Sequence, residues 1–243
     1  MTVSLEKIKI KSSGQHHILY DASLIDNPDE TLFDPDAKSS TLPEKTNTAI
    51  GRAQARFFHY HGLDLVLKRY LRGGMIASLL GDRYFGFNVE HTRSFREFRL
   101  LHRLQALELP APVPVAASAE RAGLVFRAAL VTKEISGATT LADHLMQTKL
   151  DDDLWQAVGS CIRRFHNQDV YHADLNARNI LLSSDRIYLI DFDKGAFRYL
   201  GESWKAANLA RLKRSLLKFR SLHRNFYFNE EDWKQLLQGY TKV

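Results

Sequence analysis

Near the end of the chain, polar residues stand in an order that can move a phosphoryl group. His172-Ala173-Asp174-Leu175-Asn176-Ala177-Arg178-Asn179 precedes an apolar stretch, and Asp191-Phe192-Asp193 follows it. Taken singly, Asp174 would be a helix cap, Asn179 a turn residue and Asp191 the end of a strand. Together they spell H-x-D-x-x-x-x-N, an apolar hairpin and D-F-x, the set used to transfer the γ-phosphate of ATP to a hydroxyl. Such a transfer needs an acceptor oxygen in line with the phosphate and metal ions on the phosphate oxygens. Asp174 is the expected catalytic base, accepting the hydroxyl proton. Asn179 and Asp191 are the expected ligands of magnesium, and the turn Ser183-Ser184-Asp185 folds the segment between them back on itself. His172 is expected to brace the loop.

A second constellation lies upstream. Glu97 shares a helical stripe with Leu100, Leu101 and Leu104. A carboxylate on an apolar face is costly unless a cation meets it. Lys68, on an alternating strand with Leu63, Leu65 and Leu67, is the expected partner. Lys68 would hold the nucleotide phosphates and Glu97 would orient it. Gly51, in Gly51-Arg52-Ala53-Gln54-Ala55, stands about one strand ahead of Lys68 and completes the expected ATP-binding set as a reduced glycine loop.

The elements that must position these groups follow from periodicity. Residues 92–108 read as a helix that Pro110, Pro112 and Pro114 stop. Strands Val113 to Ala117 and Leu124 to Thr132 follow, then a connection at Glu134-Ile135-Ser136-Gly137. Helices are expected at 139–147, 152–168, 203–222 and 229–239, with Cys161 on the apolar face of the second as a core thiol. The fold class is α+β, a two-lobed protein-kinase-like fold. An N-terminal extension (1–48) precedes a small β-rich N-lobe with one main helix (49–134) and a helical C-lobe (135–243).

With 243 residues and 44% hydrophobic content the chain can build such a core. No apolar run reaches the roughly 20 residues of a membrane-spanning helix, and MTVSLEKIKI lacks a secretory signal. One cysteine excludes an internal disulfide. The net charge of +6 invites an anionic partner, and the cations concentrate in 69–103 and 205–224. Asn176 stands where protein kinases have a lysine and Asp193 where the glycine of D-F-G would be. With no A-P-E segment either, a small molecule or glycolipid is the expected acceptor instead of a peptide. An antibiotic phosphotransferase, a small tRNA-complex-associated kinase and a catalytically silent binding module are the alternatives. No nucleic acid is expected, because 205–220 interleaves no aromatic platform with its arginines.

From about Gly51 to Ser215 the chain resembles the bacterial 3-deoxy-octulosonic acid (Kdo) kinases, related to the lipopolysaccharide-core heptose kinases. The likeness rests on Leu65-Val66-Leu67-Lys68-Arg69-Tyr70 with Arg72-Gly73-Gly74, Arg96-Glu97-Phe98-Arg99-Leu100-Leu101 and Leu109-Pro110-Ala111-Pro112-Val113-Pro114. Asp191-Phe192-Asp193 and Trp204 with Asn208-Leu209-Ala210-Arg211-Leu212 extend it. The resemblance implies ATP-dependent phosphorylation of the Kdo 4-hydroxyl on a Kdo-lipid A precursor, at the cytoplasmic side of the inner membrane. An embedded, anionic acceptor gives the helix at 203–222 a further expected role. Its Arg211, Arg214 and Lys218 would form a basic face that steers a peripheral enzyme to the anionic membrane surface.

Overall fold

Alternating and helical periodicities become two compact units, residues Met1–His102 with Val113–Glu134, and residues Arg103–Pro112 with Ile135–Val243. The computed structural model describes residues 7–34, 55–70, 89–122, 125–199 and 201–242. Gly51 and the Arg72-Gly73-Gly74 stretch lie outside the described residues.

The first unit is built on one antiparallel sheet. Its strands are β1 (Ile8–Ser13), β2 (His16–Asp21), β3 (Ala55–Tyr60), β4 (Leu63–Tyr70), β5 (Pro114–Ala122) and β6 (Val125–Lys133), in the order β1-β2-β5-β6-β4-β3. The β3–β4 turn places His61 at φ 47° and Gly62 at φ 79°. Two left-handed residues match the strand twist of a tight hairpin. Along β4 the side chains part by twos. Leu65 and Leu67 enter a core with Ile18, Ile25, Leu32, Phe33, Val115 and Val131. Lys68 and Tyr70 fall on the other face, where helix α1 (Arg93–Ala106) is tied down by Ser94 Oγ donating to the Ser118 carbonyl at 2.8 Å.

Within the segment expected as an N-terminal extension (1–48), the described residues 7–34 join this sheet. β2 pairs with β5 over His16–Tyr20, and Ile25, Leu32 and Phe33 are core residues of the same sheet. The acidic, turn-rich composition of the segment masked these few apolar anchors.

The second unit is mainly helical. It contains β7 (Thr139–Thr140), α2 (Leu141–Gln147), α3 (Asp152–Asn167), β8 (Val170–Tyr171), β9 (Ile180–Leu182), β10 (Ile187–Leu189), β11 (Ala196–Phe197), α4 (Ser203–Leu222) and α5 (Glu230–Thr241). Asp151 caps α3 through the Leu154 N–H, and Asn229 with Asp232 forms a capping box on α5. α3 and α5 approach until their backbones touch. A Cβ added to Gly159 would lie 1.9 Å from the Leu236 carbonyl oxygen, and one on Gly239 1.9 Å from that of Gln156. Ser160 Oγ donates to the Gly239 carbonyl at 3.0 Å across the same contact. Cys161 is a core thiol, 3.4 Å from the Ile187 carbonyl, and burial pushes its pKa up to about 12.

His166 of α3 is buried between Tyr240 Oη, 2.8 Å from Nδ1, and Asn208 Oδ1, 3.4 Å from Nε2. Burial lowers its pKa to about 4; a hydrogen bond to Asn208 opposes the shift only partly. The unfolded chain therefore binds a proton near pH 6.5 that the native state refuses. The associated stability is complete above that pH, falls as pH drops from about 6.5 to 4, and then levels off. We expect a loss of up to roughly 3 kcal/mol across that window. Urea unfolding measured at several pH values would show a shallower slope for His166→Gln than for wild type. Parallel slopes would remove His166 as the source.

Candidate active site

The first unit holds a buried ion pair. Lys68 Nζ lies 2.9 and 2.7 Å from Glu97 Oε1 and Oε2, with the side chains 17% and 3% exposed. Tyr70 adds a third hydrogen bond, its hydroxyl donating to Glu97 Oε2. The Lys68 ammonium also sits 4.9 Å from the centre of the Tyr70 ring. A lone carboxylate at this depth would be strongly disfavoured; two charge-assisted bonds and a phenol offset its desolvation. Sequence periodicity brought Lys68 and Glu97 together but gave Tyr70 no role. Its signal was the two-residue spacing from Lys68, which puts both on one face of β4.

Removing the cation should therefore cost stability. For Lys68→Met we expect about 2 kcal/mol, short of the roughly 3–5 typical of a broken buried pair because Tyr70 still donates to Glu97. Glu97→Gln, whose amide can still hydrogen-bond, should cost less. Thermal or urea unfolding ranks the two; the reverse order would deny that Glu97 is the group in need of a partner.

The second unit carries the loop from His172 to Asn179. His172 Nδ1 accepts the Asp174 N–H at 3.1 Å, while its Nε2 is 2.9 Å from the Ile190 carbonyl. One ring thus accepts from the backbone of residue 174 and donates to the residue before Asp191. With both nitrogens engaged in hydrogen bonds, the histidine braces the loop. The Asp174 carbonyl is held from the other side by Asn176 Nδ2 at 3.0 Å and Asn179 Nδ2 at 2.8 Å.

The β9–β10 hairpin returns the chain to this loop. The Ile190 N–H donates to the Asn179 carbonyl at 3.0 Å, so Asn179 and Asp191 stand at the same end. Asp191 adopts φ 63°, and Phe192 is buried with its ring 5.6 Å from Phe165 and 4.8 Å from His172. Asp is among the few non-glycine residues that tolerate this left-handed region. Because Nδ2 of the buried Asn179 is committed to Asp174, its side-chain oxygen is the atom to offer a cation. An amide oxygen and a carboxylate are hard donors that suit magnesium completed by water and substrate phosphates.

Helix α4 supports the loop in ways the motifs did not announce. Asn208 donates from Nδ2 to the His172 carbonyl at 3.0 Å and accepts the His172 N–H on Oδ1 at 3.3 Å. It lies on a buried stripe with Trp204, Leu212 and Leu216, recurring every fourth residue. A polar residue on that stripe was the available signal, the same one that exposed Glu97. Arg211 points both Nε (2.9 Å) and Nη2 (2.5 Å) at Asp174 Oδ1. One member of the expected basic face, Arg211, is thus turned by the helix toward the His172–Asn179 loop.

The remaining cations of α4 divide similarly. Lys205 pairs with Glu202 at 2.9 Å and Lys213 with Glu230 at 2.7 Å. Arg214 and Lys218 are exposed and have no ion-pair partner among the described residues.

Comparison with known proteins identifies the family. Residues 42–240 match the lipopolysaccharide kinase (Kdo/WaaP) family. A 3-deoxy-D-manno-octulosonic acid kinase of Photobacterium profundum is 39% identical over 228 residues, covering 92% of this chain and 94% of the relative. Its namesake in Vibrio vulnificus is 36% identical over 234 residues, covering 96% and 98%. A solved WaaP in complex with acyl carrier protein has a TM-score of 0.54 at 16% identity, covering 90% of this chain and 88% of that one. That likeness shows the fold, which is protein-kinase-like. With the motif residues set on these elements, and with relatives this similar along nearly the whole length, the chain belongs to the lipopolysaccharide kinase (Kdo/WaaP) family.

Proposed function

We propose that the chain transfers the γ-phosphoryl group of ATP to the 4-hydroxyl of the Kdo residue on a Kdo-lipid A precursor. The observation that carries the acceptor class is the 36–39% identity to octulosonic acid kinases over more than nine-tenths of the chain. Such identity does not favour an antibiotic or tRNA-complex acceptor.

Asp174 acts as the base. Arg211 occupies Oδ1, so Oδ2 is the oxygen presented to the acceptor hydroxyl. The acceptor O–H proton passes to Oδ2, the new O–P bond forms, and the bond from the γ-phosphorus to the β-phosphate oxygen breaks to release ADP. Asn179 and Asp191 would hold magnesium, which when bound would supply neutralisation of the phosphate charge. Lys68, fixed by Glu97 and Tyr70, binds the nucleotide phosphates, with Gly51 in the loop ahead of it. In lobe terms we assign 49–134 to nucleotide binding and 135–243 to the acceptor and metal.

Among the described residues no helix is long and apolar enough to cross a membrane. The acceptor is lipid-borne, so we place the enzyme peripherally on the cytoplasmic side of the inner membrane, drawn there in part by Arg214 and Lys218. Each cation near an anionic surface contributes about 1 kcal/mol. Labelled ATP offered with Kdo-lipid A precursor, an aminoglycoside or tRNA tests the acceptor, and label on any but the first would overturn the assignment. With anionic liposomes at low salt, Arg214→Gln with Lys218→Gln should weaken sedimentation by about 30-fold and leave the ATP KM unchanged. Undiminished binding would place the contact elsewhere.

A further inference from the structure

Arg211 is half exposed, as is the Asp174 side chain it grips, at 48% and 49%. A surface ion pair of this kind contributes little to stability, so stability does not account for an arginine aimed at the proposed base. The geometry is also lopsided. Nε and Nη2 both donate to Oδ1, where the usual fork would take one carboxylate oxygen each. Among the described residues Oδ2 stays clear, and so do Nη1 and the second hydrogen of Nη2. An open acceptor and open donors therefore sit side by side, both facing solvent.

The backbone around the pair is rigid. Asp174 is fixed through its N–H by His172 and through its carbonyl by Asn176 and Asn179. Arg211 leaves α4 three residues after Asn208, which clamps His172. Neither partner can drift far from the other.

We infer that Arg211 is an acceptor-binding residue that anchors a carboxylate of the sugar acid while Asp174 Oδ2 takes the proton of its hydroxyl. This rests on the functional reading above, in which the acceptor is an octulosonic acid and Asp174 the base. An acidic sugar brought beside Asp174 would otherwise set one carboxylate against another. The guanidinium between them removes that repulsion, and planar bidentate pairing is what arginine offers a carboxylate. A neutral sugar of the same shape would leave the unused donors unpaired. Arg211 thus makes the site selective for acids.

The test is a cycle of two enzymes and two acceptors: wild type and Arg211→Gln, each with the Kdo acceptor and with its carboxamide, in which the acid is neutralised. With the acid, Arg211→Gln should raise the acceptor KM by about 10- to 100-fold, the range for a lost charge-assisted pair, with the ATP KM unmoved. With the carboxamide, wild type should be impaired to a similar degree and the substitution should add little. Arg211→Lys, which keeps the charge but not the fork, should fall between. Equal penalties for Arg211→Gln on both acceptors would overturn the inference, because the arginine would then act only on Asp174. If wild type phosphorylates neither acceptor, the functional reading itself fails, and the inference with it.

Discussion

Asp174→Asn is expected to lower turnover by two orders of magnitude or more while preserving the fold and nucleotide affinity. The backbone of residue 174 makes three of the hydrogen bonds that shape the loop, to His172, Asn176 and Asn179, and none of them involves the carboxylate. An amide oxygen can still accept from Arg211. What disappears is the capacity to take a proton, a loss worth roughly 10²- to 10⁴-fold. Steady-state kinetics with the Kdo acceptor, paired with an ATP-binding isotherm and a melting curve, separates these effects. Turnover near wild type would eliminate Asp174 as the base.

Gly159→Ala adds a single methyl group, yet it should destabilise the second unit severely. Helix propensity alone favours alanine by about 1 kcal/mol. Against that, the added methyl would stand 1.9 Å from the Leu236 carbonyl oxygen and 2.7 Å from the Tyr240 nitrogen. Both are backbone atoms of a capped helix and cannot rotate away as a side chain could. Overpacking usually costs roughly 1–3 kcal/mol; forcing α3 and α5 apart along their length should exceed it, at about 4 kcal/mol or more. Gly239→Ala, which meets Gln156 at the same distance, should behave alike. Urea denaturation of each variant measures this, and a stabilised Gly159→Ala would mean that the helices do not touch as described.

Legibility from sequence followed the range of the interaction. Helices α1, α3, α4 and α5 carried their periodicity and stops within themselves, and so did the strand holding Lys68. The pairing of Lys68 with Glu97 was readable because a charge on an apolar stripe demands a partner. The same rule applied to Asn208 would have exposed the clamp on His172. The Arg211–Asp174 pair left no local trace, since 37 positions separate its members and an arginine on a polar helix face is unremarkable in isolation. Gly159 and Gly239 were equally silent, each an ordinary glycine until the other helix is placed against it. The core role of Ile25, Leu32 and Phe33 was hidden by their acidic neighbours.

The clamp of Asn208 on His172 has a bearing on the order in which the protein is made. Every motif residue of the His172–Asn179 loop is synthesised before α4, yet the contacts that bracket His172 and hold the Asp174 carboxylate come from Asn208 and Arg211. A nascent chain that has passed Asp191 carries the full motif set without the splint that holds it. If Asp174 is the base as proposed, competence for transfer would arrive only when α4 has emerged and docked, and unfinished chains would hydrolyse or misdirect little ATP.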